Sequence, residues 1–279
     1  MTSALKLHAS LWWRYLLAFL FVVIFGYPLF FMITNSFRPT QEILQNIWGL
    51  PTGLRLDNYV KVLSNTNFLS FYGNSMLISA LVVPVLVLST TMISFVFARL
   101  PFRGSQALFY TFLAGTMIPV HVTLIPLYTL LRDLGWLNNL VALLFPYIAF
   151  NLPVSIYIMK DFFGQIPREI EEAAYLDGCS TAKLFWAIML PLSRPAVATI
   201  SILALVNVWN EYLFASTFLA GNSEAYTLPL GVVSLVKGFA TLQYDQMFAG
   251  ITLATVPLLL FYLFAQEQII ASITAGSIK

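Results

Sequence analysis

The sequence predicts an all-α, polytopic membrane protein with six transmembrane helices and one cytoplasmic helix-turn-helix between the fourth and fifth. Three observations carry that reading. The 279 residues are 59% hydrophobic and only 9% charged, where a soluble domain carries about 25% charged residues. The apolar residues fall in runs of about 20, the length a helix needs to cross a hydrocarbon core of about 30 Å. The remaining charge gathers in few places, above all residues 165–195, which hold Arg168, Glu169, Glu171, Glu172, Asp177, Lys183 and Arg194. A net charge of +2 leaves no footprint for nucleic acid, and the single cysteine, Cys179, excludes an internal disulfide and a multi-cysteine metal site.

The first span runs from about Tyr15 to Thr34. It is too long for a signal-peptide core and no small-residue cleavage site follows it, so it reads as a retained helix. The other spans cover about Ser75–Ala98, Ala107–Leu131, Leu140–Met159, Ala196–Leu219 and Met247–Gln266. Prolines stand inside them at 28, 84, 119, 126, 146, 153 and 257, each removing a helix hydrogen bond and favouring a kink. A cytoplasmic N-terminus puts nine of the 14 Lys and Arg residues inside and five outside (Arg38, Arg55, Lys61, Arg132 and Lys237). That is the orientation the positive-inside rule favours, with both termini cytoplasmic. Of the outer connections, 35–74 carries turn residues Pro51, Thr52 and Gly53 before a short amphipathic helix around Asp57–Leu63. The other, 220–246, contains the Gly- and Ser-bearing loop "GNSEAYTLPLGVVSL".

Between the fourth and fifth spans the chain spells two short helices. Pro167 suits a first helical position, and Glu169, Glu171 and Glu172 occupy the first turns, the end where negative charge is favoured. Gly178 stops that helix and Ser180 caps the next, which Pro191 and Pro195 close. Ile170, Ala173, Ala174 and Asp177 are spaced to share a face of small bulk, and Leu184, Phe185 and Ile188 form an apolar edge. An amphipathic helix lying on lipid would lead with basic residues. This one leads with acids and is better suited to insertion in a partner's groove.

Glu172-Ala173-Ala174, three residues, Gly178, nine residues, Ile188, one residue, Leu190-Pro191 resembles the EAA loop of ABC-importer permeases. The likeness extends through "RLDNYVKVL", "NSMLISA", "FARLPFRG", "MIPVHVTLIPLY", "GWLNN", "WNEYLFA" and the ending "ITAGSIK", all similar to carbohydrate-importer permeases related to the smaller maltose-importer permease. Cys179 stands where that family has alanine and Ser272 where a glycine is common. The resemblance implies a type I ABC-importer fold, with 1–279 as one transmembrane permease domain and a coupling loop at about 165–195. It further implies ATPase contacts through Glu171, Glu172, Ala173, Ala174, Asp177, Gly178, Phe185, Ile188 and Pro191. The expected partners are a second permease in a heterodimer, two ATPase subunits, an extracytoplasmic solute-binding protein and the lipid bilayer of a bacterial or archaeal cytoplasmic membrane. No G-x-x-x-x-G-K-[ST] phosphate loop occurs in the sequence. This chain is therefore expected to bind no cofactor, with ATP and Mg used by the partner ATPase. The solute stays open among sugars and relatives such as polyol phosphates.

Glu211 is the one acid within a span, and Asn207, Asn210 and Glu211 are spaced to share a face. They are candidates for lining a translocation pathway, or for hydrogen bonding to the partner permease. His121 reads as a packing residue. A secondary transporter would need paired membrane charges, and Glu211 stands alone. An intramembrane enzyme would need a nucleophile-base or metal constellation, which two histidines and one cysteine do not make.

Overall fold

The computed structural model describes residues 2–64, 67–237 and 243–275, and among these the ordered elements are all helical. In chain order they are α1 (Thr2–Ser36), α2 (Thr40–Gln45), α3 (Asp57–Ser64), α4 (Phe68–Arg99), α5 (Ser105–Gly115), α6 (Val120–Asp133), α7 (Val141–Gln165), α8 (Arg168–Leu176) and α9 (Thr181–Leu184). A π-helical turn at Phe185–Met189 leads into α10 (Leu190–Leu192), followed by α11 (Arg194–Asn210), α12 (Leu213–Phe218), α13 (Leu228–Lys237) and α14 (Tyr244–Ala275). Four stretches are long and apolar enough to cross a membrane unaided: Trp12–Ser36, Phe68–Arg99, Val141–Gln165 and Tyr244–Leu263. With each of two bent pairs counted as one span, the number rises to six.

The first bent pair corrects the expectation of a continuous third span. α5 and α6 meet at 94°; at 1.5 Å per residue they are about 16 and 21 Å long, so neither crosses alone. Pro119 causes the break by standing as the N-cap of α6 in extended geometry. Its ring disfavours helix for the residue before it. Pro28, Pro84, Pro126, Pro146, Pro153 and Pro257 instead lie within helices. In the second pair Thr181–Leu192 meets α11 at 75°. The fifth span also ends earlier than expected, at Asn210, with α12 following a two-residue break.

The chain divides into two compact units, residues 1–68 with 232–256 and residues 69–231 with 257–279. In the first, Arg38 organises the connection after α1. Its side chain, at 1% exposure, gives Nη1 to Asn35 Oδ1 (2.8 Å) and Nη2 to the carbonyls of Glu42 (2.9 Å) and Asn46 (2.7 Å). Asn58 in α3 donates to the carbonyls of Ser36 (2.9 Å) and Arg38 (3.0 Å). Asp245, opening α14, accepts from Thr40 Oγ1 (2.8 Å), and Trp48 packs on Phe31 with ring centroids 5.5 Å apart. A chain reversal of this length needs its polar backbone satisfied; turn hydrogen bonds do most of it, and the guanidinium and the Asn58 amide tie the turns together.

The second unit has two apolar clusters. One joins α4, α6, α7, α11 and α12 through Ile78, Val82, Leu131, Leu143, Tyr147, Val208, Phe214 and Phe218. The other joins α4, α7 and α11 to the α8–α10 segment through Phe95, Met159, Phe163, Ala174, Leu184, Phe185, Met189 and Ile200. Between apolar spans in lipid, such clusters hold by close packing rather than by exclusion of water. Polar side chains pin the connections. Asn74 donates to the carbonyls of Glu224 (2.7 Å) and Tyr226 (3.0 Å), and Ser75 Oγ accepts from Leu228 N–H (2.7 Å). Asn138, held at φ 61°, accepts the Gly221 N–H through its side chain (2.8 Å). α3 matches the short amphipathic helix expected in the first outer connection.

Candidate functional site

The site is built around α8 and the segment after it. Pro167 lies one residue earlier than predicted, as the N-cap in extended conformation, and Arg168 is the first helical residue. α8 ends in a Schellman closure: Cys179 N–H bonds to Ala174 O (2.9 Å) and Gly178 N–H to Tyr175 O (3.0 Å). That closure puts Gly178 at φ +77°, a conformation a side chain disfavours. Ser180 then caps α9, its Oγ accepting the Lys183 N–H at 3.3 Å.

Pro191 does not end the second helix. The run continues to Leu192 because the turn before Pro191 widens: Leu190 N–H bonds five residues back to Phe185 O. A proline would meet the carbonyl four residues earlier in a regular α-helix, and the π turn relieves that conflict. The chain breaks at buried Ser193, whose Oγ caps Leu190 O (2.9 Å), and Pro195 sits in the first turn of α11.

The expected coupling residues separate into two faces. Glu172, Ala173, Asp177 and Gly178 are exposed, and Pro191 is exposed on the second helix. Ala174 and Phe185 are buried in the second cluster and Ile188 packs against it, so the predicted face containing both Ala173 and Ala174 is split. Glu171 turns inward as well, its Oε1 2.8 Å from Arg99 Nε at the end of α4. Arg99 Nη2 also donates to the carbonyls of Phe163 and Ile166 at the end of α7. Spacing along a helix could not tell which alanine points out; packing decides it. Sequence reading passed over Leu176, which is 89% exposed, and Tyr175 beside it. Their signal was an apolar pair one residue short of the stop glycine, with only Asp177 between, on a helix already judged to leave the membrane. Cys179 is partly buried against the second cluster, behind the exposed face.

The second candidate group meets α7. Glu211 occupies the break after α11 and not a continuous helix. Its carboxylate accepts from Tyr147 Oη (2.5 Å), Phe214 N–H (2.6 Å) and Ala215 N–H (3.1 Å). It thereby caps α12 and competes with continuation of α11. Asn207 donates to Asn151 Oδ1 (2.9 Å) and Asn151 donates to Tyr147 O (2.7 Å), so α7 supplies the polar partners that sequence did not single out. Asn210 is exposed and bonds its own helix at Val206 O (2.9 Å). A separate cleft of about 600 Å3 runs between α4, α11 and the later part of α14, lined by Tyr72, Ser79, Ser201, Leu205, Trp209 and Phe261 among others. His121 is exposed in the first turn of α6, which removes the packing role expected of it within this chain. Among the described residues, no group of three His, Cys, Asp or Glu side chains could hold a metal ion.

Six apolar crossings with a capped helix-turn-helix between the fourth and fifth define the membrane subunit of a binding-protein-dependent importer. The chain belongs to that family: residues 90–274 match the family described as binding-protein-dependent transport system inner membrane component. It is a multi-pass permease subunit. It is 32% identical over 268 residues to the trehalose/maltose transport system permease protein MalG of Thermococcus litoralis, covering 94% of each chain. It is 31% identical over 272 residues to the arabinooligosaccharides transport system permease protein AraQ of Halalkalibacterium halodurans, covering 96% of each. Its fold is similar to a chain in the crystal structure of a bacterial ABC transporter involved in import of the acidic polysaccharide alginate, with a TM-score of 0.78. That match has 21% identity and covers 95% of this chain and 97% of the other.

Proposed function

We propose that this permease carries a sugar or oligosaccharide across the cytoplasmic membrane by alternating access, with α8 as the helix that an ATPase subunit grips. The observation that carries the docking reading is the asymmetry of α8. One side is fixed to the inner ends of α4 and α7, and the other presents Glu172, Ala173, Leu176, Asp177 and Gly178 to a partner. A leucine 89% exposed at the tip of a rigid turn has the form of an anchor for a groove. The named solutes of the similar permeases support a saccharide.

In this reading both termini are cytoplasmic, and a second permease completes the membrane pathway as a heterodimer. Two ATPase subunits bind and hydrolyse ATP with Mg, and this chain binds no cofactor. An extracytoplasmic solute-binding protein delivers the solute. The exposed part of the coupling set is the docking face; Glu171, Ala174, Phe185 and Ile188 fix that face to the spans. Asn207, Asn210 and Glu211 are the pathway candidates, Glu211 also capping α12. The tail at 276–279 lies outside the described residues.

Burying a leucine side chain contributes about 1.5–3 kcal/mol, so Leu176→Ala should weaken ATPase docking by about 10- to 100-fold. Gly178→Trp should release the ATPase altogether. A Cβ at Gly178 meets nothing in this chain within 4 Å, so loss of docking would reflect the partner's surface and the backbone strain. Gly178→Asn, which tolerates the left-handed conformation, separates the two causes. The assay is co-purification of the ATPase with saccharide uptake in proteoliposomes. Normal uptake by Gly178→Trp would sink the docking reading, and uptake without any ATPase subunit would sink the ABC mechanism.

A further inference from the structure

We infer that Arg99 is a positioning residue that transmits movement of α8 to span α4, through its ion pair with Glu171; this rests on the docking role proposed for α8. Three helix ends converge on one guanidinium. Arg99 is the last residue of α4 and its side chain is only 4% exposed; Glu171, in the first turn of α8, is 13% exposed. Nε and Oε1 stand 2.8 Å apart as an ion pair outside hydrogen-bond alignment. Nη2 takes the carbonyls of Phe163 and Ile166, which close α7.

The charges suit their places. A cation is favoured at the C-terminal ends of α4 and α7, and an anion at the N-terminal end of α8. Both are largely withdrawn from water, so neither is easily left unpaired. What makes the pair more than a local brace is how little else holds α8. Ala174 is its one buried residue, a single methyl in the cluster that also holds Phe95, Phe163 and Phe185, and a contact that small resists separation more than sliding. The ion pair resists sliding, because the guanidinium is already fixed to two carbonyls. A pull on the exposed face of α8 therefore reaches the inner end of a 32-residue span through Arg99.

The residues sit apart from the exposed docking face, so docking and transmission can be measured separately. The test uses the complete transporter in proteoliposomes, with this permease, its partner permease, the ATPase and the solute-binding protein. Glu171→Gln keeps the shape and removes the charge; Arg99→Lys keeps the charge and loses the fork that grips two carbonyls. Both variants should retain the ATPase at wild-type stoichiometry and hydrolyse ATP within about twofold of wild type, while solute moved per ATP falls about tenfold, the scale of a site-to-site coupling. A covalent tether supplies a readout that a merely structural role would not move. In a Cys179→Ala background, Arg99→Cys with Glu171→Cys should be uncoupled until a flexible bis-methanethiosulfonate joins the two thiols, and reduction should undo the rescue. Wild-type solute per ATP in Glu171→Gln overturns the inference, as does a bridged double-cysteine protein that stays uncoupled. Release of the ATPase by Glu171→Gln also overturns it, by moving Glu171 into the docking contact. Failure of the wild-type complex to hold the ATPase through α8 would overturn the docking reading instead.

Discussion

Replacing Glu211 with alanine should cost about 3 kcal/mol of folding stability, and the geometry says how that divides. The carboxylate takes two N–H groups of α12, from Phe214 at 2.6 Å and Ala215 at 3.1 Å, and the Tyr147 hydroxyl at 2.5 Å. Losing a helix cap costs about 1 kcal/mol, and losing a hydrogen bond to a charged group costs about 2 kcal/mol. Tyr147→Phe should therefore cost about 2 kcal/mol alone and add little to Glu211→Ala, giving a coupling energy of about 2 kcal/mol in the double-mutant cycle. Glu211→Gln keeps one acceptor oxygen and should fall between wild type and alanine. The assay is unfolding of the purified permease in lipid nanodiscs, by thermal or denaturant titration, with uptake recorded on the same preparations. Uptake should decline in step with the folded fraction. A coupling energy indistinguishable from zero would refute the capping account. Unchanged stability with lost uptake would leave Glu211 with a pathway role alone.

The Arg38 hub should be unforgiving: Arg38→Met takes the side-chain donor from the carbonyls of Glu42 and Asn46, which keep one backbone N–H each, and leaves the Glu42 carboxylate without its cation, at a cost of about 3 kcal/mol. Limited proteolysis should then cut between α1 and α4 where wild type is protected, and equal protection would count against it. Gly231→Ala places a Cβ 2.0 Å from the Phe71 ring and should destabilise by about 1–3 kcal/mol through overpacking. Phe71→Leu should recover part of that loss, and no change in melting temperature for Gly231→Ala would contradict the close approach.

The six crossings were legible because hydrophobic length is a property of the chain itself. So was the turn in the coupling loop, since Gly178 and Ser180 act within a few residues of themselves. The motif stretches were legible as resemblance but not as mechanism. Asn58 in "RLDNYVKVL", Asn74 and Ser75 in "NSMLISA", Arg99 in "FARLPFRG" and Asn138 in "GWLNN" each pin backbone belonging to another stretch, while Glu211 in "WNEYLFA" holds backbone of its own stretch and the distant Tyr147 hydroxyl. Partners 20 to 153 residues away leave no local periodicity to read. The breaks at Pro119 and Glu211 were missed for related reasons. Six other prolines in similar apolar settings stay helical, and a glutamate reads as a helix former until its carboxylate is seen capping the next helix. The orientation of α8 was hidden too, because Ala173 and Ala174 are equivalent until the second cluster buries one of them.

The 94° break between α5 and α6 sets a demand on the surroundings. It lies midway along its crossing, Pro119 brings no N–H, and α6 opens without a side-chain cap while Met117 stands 82% exposed beside it. Hydrocarbon cannot solvate the opening amides of a helix, at several kcal/mol for each group left bare. The segment must be hydrated or covered by another polypeptide, so lipid alone cannot be the neighbour of this face of the protein.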